Sequence, residues 1–492
     1  MTITFSVAQN IPKTADIRVI FVCPGKAAAA SKAVATSRAG SHETTGARAL
    51  LRSKGFKGKA GEVEVVASEE GHLTAVVGLG DAPTLDEARN SAATLAGAIK
   101  RHRSVVCLPP DFSSCETDIS AWAQAFAEGI VLGSYQFDSY KSKPEPSKLN
   151  KVTVISSQQR DSIRHSLKEG ARIAEAVCLA RDLVNEPGGT LTPEVLARRT
   201  AKIAQSSNLK AEVWSLADIK QKKLGGLLGV NRGSEKPPRF VKLQWNPPGG
   251  KPKKSIALVG KGVTFDSGGL SLKPWKAMTH MKNDMAGAAA VIGAMSALSE
   301  VQPKCRVTGY LPLTDNMTGG DATRVGDVLR IRNKKTVEIL NTDAEGRLIL
   351  ADALSLASED KPDAIVDLAT LTGACVVALG DSYAGIMGND DSFIETVKDA
   401  AQTAGERLWP LPLPEDYRKQ LDSPVADLAN IGSGNGGTIT AGLFLSEFVA
   451  DGIPWVHLDI AGPAFAEKAS GVDPKGGTGF GVRTLIELVR RF

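Results

Sequence analysis

Asn341-Thr342-Asp343-Ala344-Glu345-Gly346-Arg347-Leu348 is the stretch that decides how this chain is interpreted. It follows an apolar run at residues 336–340 and carries two carboxylates and a guanidinium at alternate positions. If the run is a strand that continues extended, Asp343, Glu345 and Arg347 project to one side, because side chains of a strand alternate with period two. Charges beside the buried end of a strand are costly unless a ligand binds them. A metal ion would bind the two acids, and an anion would bind the arginine.

A second interpretation of the same octapeptide needs no ligand. Asp343 or Glu345 would then cap a helix that begins at Leu348, and acidic residues are common at helix starts because they interact favourably with the helix dipole. The spacing alone favours neither interpretation over the other. A second charged cluster elsewhere in the chain is what favours a ligand site.

That second cluster follows another apolar run. Residues 256–260 predict a fully buried parallel strand, which runs into Lys261-Gly262-Val263-Thr264-Phe265-Asp266-Ser267-Gly268-Gly269 and then Lys273. Asp284 follows at the start of an alanine-rich helix predicted over residues 285–298. Ligands of open α/β sheets collect at the carboxyl ends of strands. Each residue alone is typical of a surface lysine or a turn aspartate, but the two clusters together favour a ligand site.

Both clusters resemble signatures of the leucyl (cytosol) aminopeptidase family, whose members are exopeptidases with two metal ions. The eleven residues from Val259 to Gly269 and the octapeptide from Asn341 to Leu348 carry this resemblance. It extends through three further segments: Asn283 to Met285, Ala369 to Ala374 and Trp455 to Gly462. At the level of motifs the resemblance covers residues 182–492. Before residue 182 only the general α/β character agrees.

Alternating strand-like and helical stretches predict an α/β fold along the whole chain. The predicted organisation is a small N-terminal α/β domain at residues 1–158, a connecting helix at residues 159–184 and a larger C-terminal catalytic domain at residues 185–492. The central sheet of the larger domain is expected to be mixed and mainly parallel. Asn185-Glu186-Pro187-Gly188-Gly189 ends the connecting helix, since proline and glycine do not continue a helix.

The resemblance implies that five side chains hold two divalent metal ions, with a hydroxide between the ions as the nucleophile. Asp266 and Glu345 would bridge both ions, and Asp343 would complete the tighter site. Lys261 and Asp284 would complete the more exchangeable site. The lysine amine must be neutral to donate a lone pair, and burial beside dications would lower its pKa. Oxygen-rich coordination with one nitrogen suits Zn, Mn, Co or Mg.

Two catalytic residues and a substrate pocket follow from the same resemblance. Lys273 would stay protonated and stabilise the negative charge that develops on the tetrahedral centre. Arg347 would hold a bicarbonate ion that acts as the general base, since a guanidinium binds a planar carboxylate-like anion at two points. The backbone around Leu371 would contact the substrate. An apolar side-chain pocket would favour leucine-like N-terminal residues modestly, and it would be formed by Met281, Thr370, Gly373 and Ala461.

Two positions depart from the family pattern. Ala286 stands where the family usually has glycine, and Trp275-Lys276 follow Lys273-Pro274 where smaller residues are usual. Neither position is one of the expected metal ligands. The departures bear on the shape of the pocket mouth and hence on the preferred substrate side chain.

Composition narrows the class of protein. The chain has 492 residues, of which 42% are hydrophobic and 23% charged, with a net charge of +5, and this predicts a globular protein of two or three domains. Apolar stretches fall short of the ~20 residues needed to span a bilayer, and residues 1–10 lack the features of a secretory signal, so we expect a cytoplasmic location without membrane association. The six cysteines show no C-x-x-C spacing and predict buried thiols: Cys23, Cys107, Cys115, Cys178, Cys305 and Cys375.

The resemblance implies short peptides with a free N-terminus as substrates, and a homohexamer whose active sites face an interior cavity. Two other functions compete with this interpretation. A DNA-binding regulatory role, as in some bacterial relatives, is an alternative that the mild net charge does not favour, since no basic helix or stripe is identifiable. A two-metal phosphatase could use the same carboxylates, but a lysine ligand and the segment from Ala369 to Ala374 argue against it.

Overall fold

The computed structural model describes residues 3–12, 15–22, 55–67, 72–81, 84–110, 118–249 and 252–492. The chain forms two compact units. Unit 1 comprises Met1–Glu175 and Lys468–Pro474, and unit 2 comprises Ala176–Glu467 and Lys475–Phe492. The expected small N-terminal and larger C-terminal α/β parts are confirmed. The residue boundaries at 158 and 184 stay predictions.

The sheet of unit 1 is mostly parallel. Six described strands form it: β1 (Thr4–Ala8), β2 (Ile17–Val22), β3 (Val63–Ala67), β4 (Leu73–Gly78), β5 (Ser104–Leu108) and β6 (Lys151–Ile155). Their order is β1-β6-β5-β2-β4-β3, and only β3 and β4 run antiparallel among these pairs. Helices α1 (Leu85–Ala98) and α2 (Ile119–Gly133) pack together and share one hydrophobic core with the sheet. Small alanine side chains on both helices allow this close packing.

A 26-residue helix, α3, runs from Arg160 to Asn185. Its residues up to Glu175 belong to unit 1, and those from Ala176 onwards belong to unit 2. The helical periodicity of the sequence predicted a helix here, and the structure confirms it. The helix ends at Asn185 because Pro187 follows two residues later and cannot continue it.

The described strands of unit 2 are short, except for one strand that is eleven residues long. They are β7 (Lys210–Trp214), β8 (Arg239–Trp245), β9 (Ser255–Gly260), β10 (Gly262–Asp266), β11 (Arg306–Asn316), β12 (Val328–Arg330), β13 (Thr336–Glu338), β14 (Ala364–Ala369), β15 (Ala384–Gly388), β16 (Leu408–Pro410), β17 (Leu428–Ala429), β18 (Trp455–Asp459), β19 (Phe465–Ala466) and β20 (Gly476–Gly477). Two small sheets, β12-β13-β17 and β19-β20, accompany the main sheet.

The main sheet of unit 2 is mixed, with a parallel centre. Within the described residues its order is β16-β15-β18-β14-β9-β11-β8-β7, and β10 pairs with β11. β18, β14, β9 and β11 are parallel, whereas β8 runs antiparallel to β11, β7 to β8 and β15 to β18. The register places Leu368 beside Gly260, and Ala369 beside Asp459. The segments that follow β9, β14 and β18 therefore meet at one edge of the sheet.

Helices flank this sheet. In the described part of unit 2 they are α4 (Pro193–Ser206), α5 (Leu216–Gln221), α6 (Gly225–Asn231), α7 (Trp275–Met278), α8 (Ala286–Val301), α9 (Gly346–Glu359), α10 (Gly373–Leu379), α11 (Asp391–Ala404), α12 (Gly437–Ser446) and α13 (Val482–Arg491). Two 3-10 helices cover Met281–Asn283 and Glu415–Leu421. In the hydrophobic core of unit 2, side chains of α9 and α12 pack with alternate residues of β9, such as Ala257 and Val259.

The cysteines of the described segments carry free thiols. Cys107, Cys305 and Cys375 are buried and Cys178 is half-buried, so the prediction of buried thiols is confirmed for three of these positions. Burial raises the pKa of Cys305 to about 11, which leaves that thiol protonated and unreactive at neutral pH. Cys23 and Cys115 lie outside the described residues. Of the helices that the structure describes, none combines the length and the apolar character needed to cross a membrane.

Candidate metal centre

Acidic and basic side chains converge at the edge of the sheet where β9, β10 and β14 end. Lys261 follows β9 directly, and Asp266 is the last residue of β10. Asp284 lies two residues before α8, while Asp343 and Glu345 come just before α9. The side chain of Asp343 is one-third exposed, and the other four are almost inaccessible to solvent. The structure thus brings together the five residues expected to hold metal ions.

Lys261 lies between two of the carboxylates. Its Nζ is 2.7 Å from Asp284 Oδ1 and 2.9 Å from Glu345 Oε1, and it donates a hydrogen bond to the Thr370 carbonyl at 2.8 Å. The hydroxyl of Thr370 donates to the same Asp284 oxygen at 2.8 Å. The backbone of Lys261 is fixed because its N–H donates to the Leu368 carbonyl of β14. The neighbouring strand therefore positions this amine.

Lys273 lies between the other two carboxylates. Its Nζ is 2.8 Å from Asp266 Oδ2 and 2.5 Å from Asp343 Oδ1. Asp266 Oδ1 accepts hydrogen bonds from the Gly268 N–H and from Asn316 Nδ2, each at 2.8 Å. These bonds fix the Asp266 carboxylate, so that its orientation does not depend on Lys273 alone.

The donor set fits divalent metal ions. Asp266, Asp343 and Glu345 each offer an oxygen, and these oxygens lie within 4.8 Å of one another. Asp284 Oδ2 and Glu345 Oε2 are buried and have no hydrogen-bond partner in the part of the chain that the structure describes. A buried, unpaired carboxylate oxygen is costly, and a bound cation would remove that cost. Carboxylate oxygens with one amine nitrogen form a ligand set that suits Mg, Mn, Co or Zn.

The charges of this cluster shift one another's pKa. Burial lowers the pKa of Lys261, but the carboxylates of Asp284, Glu345 and Asp266 outweigh burial and raise it well above its ordinary value. Burial, followed by the charge of Glu345, raises the pKa of Asp266, and burial also raises the pKa of Asp284. With these carboxylates beside it, the amine of Lys261 is an ammonium. It must lose a proton before it can donate a lone pair to a metal ion.

Arg347 lies in the first turn of α9 and is 7% exposed. Its Nη1 donates to the Asn430 carbonyl at 2.7 Å, and its Nε is buried without a hydrogen-bond partner among the described residues. Burial lowers the pKa of Arg347 to about 10, so the guanidinium stays charged at neutral pH. A buried cation with an unused N–H group is suited to binding a small anion.

The octapeptide does not continue as an extended strand, so the condition of the first of the two interpretations is not met. Residues 342–343 form a turn, in which the Asp343 N–H donates to Asn341 Oδ1 at 2.8 Å, and α9 begins at Gly346. The strand expected over residues 336–340 ends at Glu338, because the N–H groups of Leu340 and Asn341 donate to the Asn430 side chain. Glu345 stands directly before α9, but its side chain makes no capping hydrogen bond. A turn, and not strand alternation, brings the two acids to the site.

The residues expected to form the substrate pocket differ in how far they are buried and in what they contact. Thr370 is buried and contacts Lys261 and Asp284, as described above. Leu371 and Ala461 are half-buried, and both donate backbone N–H groups to Asp459. Met281 is half-buried in the 3-10 helix before Asp284, and Gly373 is the exposed first residue of α10. Trp275, where smaller residues were expected, is 75% exposed.

Three polar residues next to the site were missed from the sequence. Asn316 ends β11 and bridges the two clusters, since its amide donates to Asp266 Oδ1 and to the Thr342 carbonyl. Asn430 holds the octapeptide, and Asp459 holds the segment after β14. Asn316 and Asp459 are the last residues of strands, and Asn430 directly follows β17. A polar residue at the carboxyl end of an apolar strand is the signal that could have found them.

Two models of one protein family match this chain. The model of the "Cytosol aminopeptidase family, catalytic domain" matches residues 178–486, and that of the "Cytosol aminopeptidase family, N-terminal domain" matches residues 19–144. The chain is 45% identical over 461 residues to a probable cytosol aminopeptidase of Streptomyces coelicolor, covering 89% of each chain. It is 44% identical over 453 residues to a probable cytosol aminopeptidase of Aquifex aeolicus, covering 90% of each.

Solved structures resemble the fold over almost its full length. The bottromycin maturation enzyme BotP in complex with Mn superposes with a TM-score of 0.87 at 42% identity, covering 97% of this chain and 99% of that one. A mutant of tomato leucine aminopeptidase superposes with a TM-score of 0.89 at 34% identity, covering 100% and 97%. The resemblance inferred from the two motifs is confirmed, and this chain belongs to the cytosol aminopeptidase family of metal-dependent hydrolases.

Proposed function

We propose that this chain uses two divalent metal ions to remove the N-terminal residue from short peptides. The observation that carries the proposal is the cluster of four carboxylates with two buried, unpaired oxygens, Asp284 Oδ2 and Glu345 Oε2. Asp266 and Glu345 would bridge the two ions, and Asp343 would complete one site. Lys261 and Asp284 would complete the other. Zn, Mn, Co and Mg are the expected metals, and the structure of BotP in complex with Mn supports Mn as one of them.

The bound ions would supply a water of lowered pKa and polarise the scissile carbonyl. Lys273, whose pKa the carboxylates raise against the effect of burial, would stay an ammonium and donate a hydrogen bond to the oxygen on which negative charge develops. Arg347 would hold bicarbonate through its guanidinium, whose Nε has no hydrogen-bond partner among the described residues, and the anion would supply a general base beside the bound water.

Substrate preference would be set at the mouth of the site. Thr370, Leu371 and Gly373 follow β14, and Met281 and Ala461 come from two other segments. A structural relative is named a leucine aminopeptidase, which supports a leucine-like first residue. The free α-amine of the peptide would bind at the ion held by Lys261 and Asp284, and this requirement would make the enzyme an exopeptidase. The names of the relatives also support a cytoplasmic location.

A homohexamer is proposed as the working assembly. Large apolar side chains of unit 2 are exposed in the single chain, including Val377 at 90% and Leu272 at 61%, and such side chains are often covered in an assembly. The expected mass in solution is six times the 51.7 kDa of one chain. Light scattering coupled to size exclusion measures this mass directly, and a monomer at micromolar concentration would contradict the proposal.

The decisive experiment measures metal content and peptide cleavage on the same preparation. Mass spectrometry of enzyme purified without added ions should find about two divalent ions per chain. Cleavage of Leu-p-nitroanilide should be lost on chelation and return with Mn²⁺ or Zn²⁺. Cleavage that persists after complete metal removal would contradict the metal mechanism, and an absence of cleavage with every metal would contradict the proposed activity.

DNA binding is a second candidate, and one observation favours it. Exposed basic side chains lie together where β5 and β6 begin, since Lys148 and Lys151 bond through their backbone N–H groups to the carbonyls of Lys100 and Arg103. A gel-shift assay across a salt series tests this role. Binding that weakens steeply with salt and is lost in a Lys148→Glu, Lys151→Glu double variant would support it. The absence of a shift at low salt would end it.

A further inference from the structure

Asp459 is a fully buried carboxylate at the end of β18, outside the proposed set of metal ligands. Its two oxygens accept hydrogen bonds from two separate segments of the chain. Oδ1 accepts from the backbone N–H groups of Leu371 at 3.2 Å, Thr372 at 3.5 Å and Ala461 at 3.2 Å. Oδ2 accepts from the Thr372 hydroxyl at 2.6 Å. One carboxylate thus fixes the backbone at two of the proposed substrate-binding positions.

The segment that Asp459 holds also contacts the proposed metal ligands. Thr370 precedes Leu371, and its carbonyl and hydroxyl bond to Lys261 Nζ and Asp284 Oδ1, both at 2.8 Å. A displacement of the Leu371 backbone therefore moves groups that hold Lys261 and Asp284. The contacts lead from Asp459 through two residues to the centre of the site.

We propose that Asp459 is a positioning residue that fixes the Leu371 and Ala461 backbone for substrate binding. This inference rests on the proposed function, because those two positions belong to the proposed pocket. A carboxylate is suited to the role because it only accepts, and its two oxygens can accept all the N–H and O–H groups that point at it. These hydrogen bonds lie in a buried place, where water does not compete for the donors, so together they hold the segment in position. Errors of about 1 Å in such positioning cost an enzyme as much as 100-fold in rate.

The test replaces Asp459 by Asn, which keeps the shape but turns one acceptor into a donor that faces other donors. We expect the KM for Leu-p-nitroanilide to rise by about tenfold, with a smaller change in kcat, because a buried donor left without an acceptor has an effect of about that size. A purely structural role would lower the fraction of folded enzyme, and hence the apparent kcat, without changing KM. An unchanged KM in Asp459→Asn would overturn the inference.

Glu406 provides a matched control within the same chain. It is 6% exposed, and its carboxylate likewise accepts backbone N–H groups, from Gly481 at 3.0 Å and Thr484 at 3.1 Å, together with the Thr484 hydroxyl at 2.5 Å. None of these residues belongs to the proposed site. Glu406→Gln should therefore leave KM unchanged, whatever its effect on stability. An equal rise of KM in both variants would show a general loss of stability and would overturn the role of Asp459.

A second pair of variants covers the case in which Asp459→Asn does not fold. Thr372→Val loses the hydroxyl that donates to Asp459 Oδ2, and Thr372→Ser keeps it. KM should rise several-fold in the valine variant and stay near the wild-type value in the serine variant, while equal KM values in both would contradict the inference. If the wild-type enzyme cleaves no peptide substrate, the proposed function itself fails. An active wild type with unchanged KM in all variants defeats only the role of Asp459.

Discussion

Glu345 is the residue on which the proposed metal site depends most. One of its oxygens pairs with Lys261 at 2.9 Å, while Oε2 is buried and has no hydrogen-bond partner in the described segments. Glu345→Gln keeps the volume but removes the charge that the two proposed ions would share. We expect kcat/KM to fall by at least ~100-fold and metal content to fall with it, since even residues behind metal ligands are worth 10–100-fold. Asp266→Asn should behave in the same way.

The control for these variants is again Glu406→Gln, a buried carboxylate outside the site, which should keep both metal content and activity. An enzyme that has lost a ligand to both proposed ions should keep less than about a tenth of its activity, so Glu345→Gln should not keep more than that. If it keeps more, the bridging assignment is wrong.

Arg347 supports a second prediction at the level of single residues. Its buried Nε has no hydrogen-bond partner among the described residues, and its charge survives burial at neutral pH. Arg347→Ala should lower kcat by roughly 100-fold, the low end of what a general base contributes. Added bicarbonate should restore part of that loss, because the space left by the guanidinium admits the anion. Arg347→Lys keeps a charge without two-point binding and should be intermediate. Turnover equal to the wild type in Arg347→Ala would exclude the role.

At the level of elements, the start of α9 must approach Lys261 closely. A Cβ on Gly346 would lie 2.4 Å from Lys261 Cε and 2.7 Å from its Nζ. Because these atoms are the end of a side chain, Gly346→Ala should displace the amine from Asp284 and Glu345 and leave the backbone in place. We expect kcat/KM to fall by at least about tenfold, the lower bound for disturbing a group beside a metal. Thermal unfolding should shift to lower temperature, because a buried ion pair is weakened.

A glycine in another helix gives the comparison for Gly346. Gly97 lies in α1, and a Cβ there meets nothing within 4 Å. Gly97→Ala should leave activity unchanged and add up to ~1 kcal/mol of stability, because alanine favours helices. Equal activity in the two alanine variants would show that the close approach to Lys261 is not needed.

Asp352 makes the packing of α9 against α6 sensitive to pH. Its buried carboxylate accepts the N–H groups of Leu227 and Arg332 at 2.9 and 2.8 Å, and burial raises its pKa from 3.8 to about 7. Because the folded protein holds this proton more tightly than the unfolded chain, the stabilisation is present at low pH and is lost as pH rises through about 7. The loss accumulates between the pKa of the unfolded chain, 3.8, and that of the folded protein, about 7, so it is roughly 3 kcal/mol from about pH 5 to about pH 7 at 1.36 kcal/mol per unit, and it levels off at higher pH.

The measurement compares thermal unfolding of the wild type and Asp352→Asn across this pH range. The variant lacks the titrating group, and the titration of the other carboxylates cancels in the difference. The unfolding temperature of the wild type minus that of Asp352→Asn should therefore fall as pH rises from about 5 to about 8. A difference that stays constant, or increases, would contradict the assignment.

The strand expected at residues 256–260 was predictable because its apolar run is continuous, and the structure has it as β9, Ser255–Gly260, with every residue buried. The octapeptide was not predictable in the same way. Its turn depends on Asn430, which lies 89 residues further along the chain and takes the N–H group of Asn341 that a strand would have used. A pattern within a short stretch of sequence does not reveal a contact between residues so far apart in the chain.

The candidate site was predictable for a different reason. The acids and lysines come in two short motifs, and a family resemblance located them, although the octapeptide does not have the extended geometry of the first interpretation. Asn316 and Asp459 lie at the ends of apolar strands, where one polar residue is hard to distinguish from an ordinary strand end. Their roles emerge only when neighbouring strands place them beside Asp266 and Leu371.

For the whole molecule, the proposed metal site would link folding to ligand binding. Four carboxylates crowd the edge of the main sheet, and burial raises the pKa of Asp266, Asp284 and Asp343. Without bound cations the folded state must keep these groups close together, whereas the unfolded chain separates them. Metal bound only by the folded state stabilises it by about 2.7 kcal/mol at a concentration 100 times Kd.

Removal of metal should therefore lower the unfolding temperature by about 5 °C, and excess Mn²⁺ should restore it, since 1 kcal/mol corresponds to ~2–4 °C for a large domain. Glu345→Gln supplies the control, because a variant that has lost the shared ligand should respond little to either treatment. Two transitions are expected if the two units unfold separately, and the metal should then move only the transition of unit 2, which contains the cluster. A metal-dependent shift of the same size in Glu345→Gln would mean that the stabilising ion binds elsewhere.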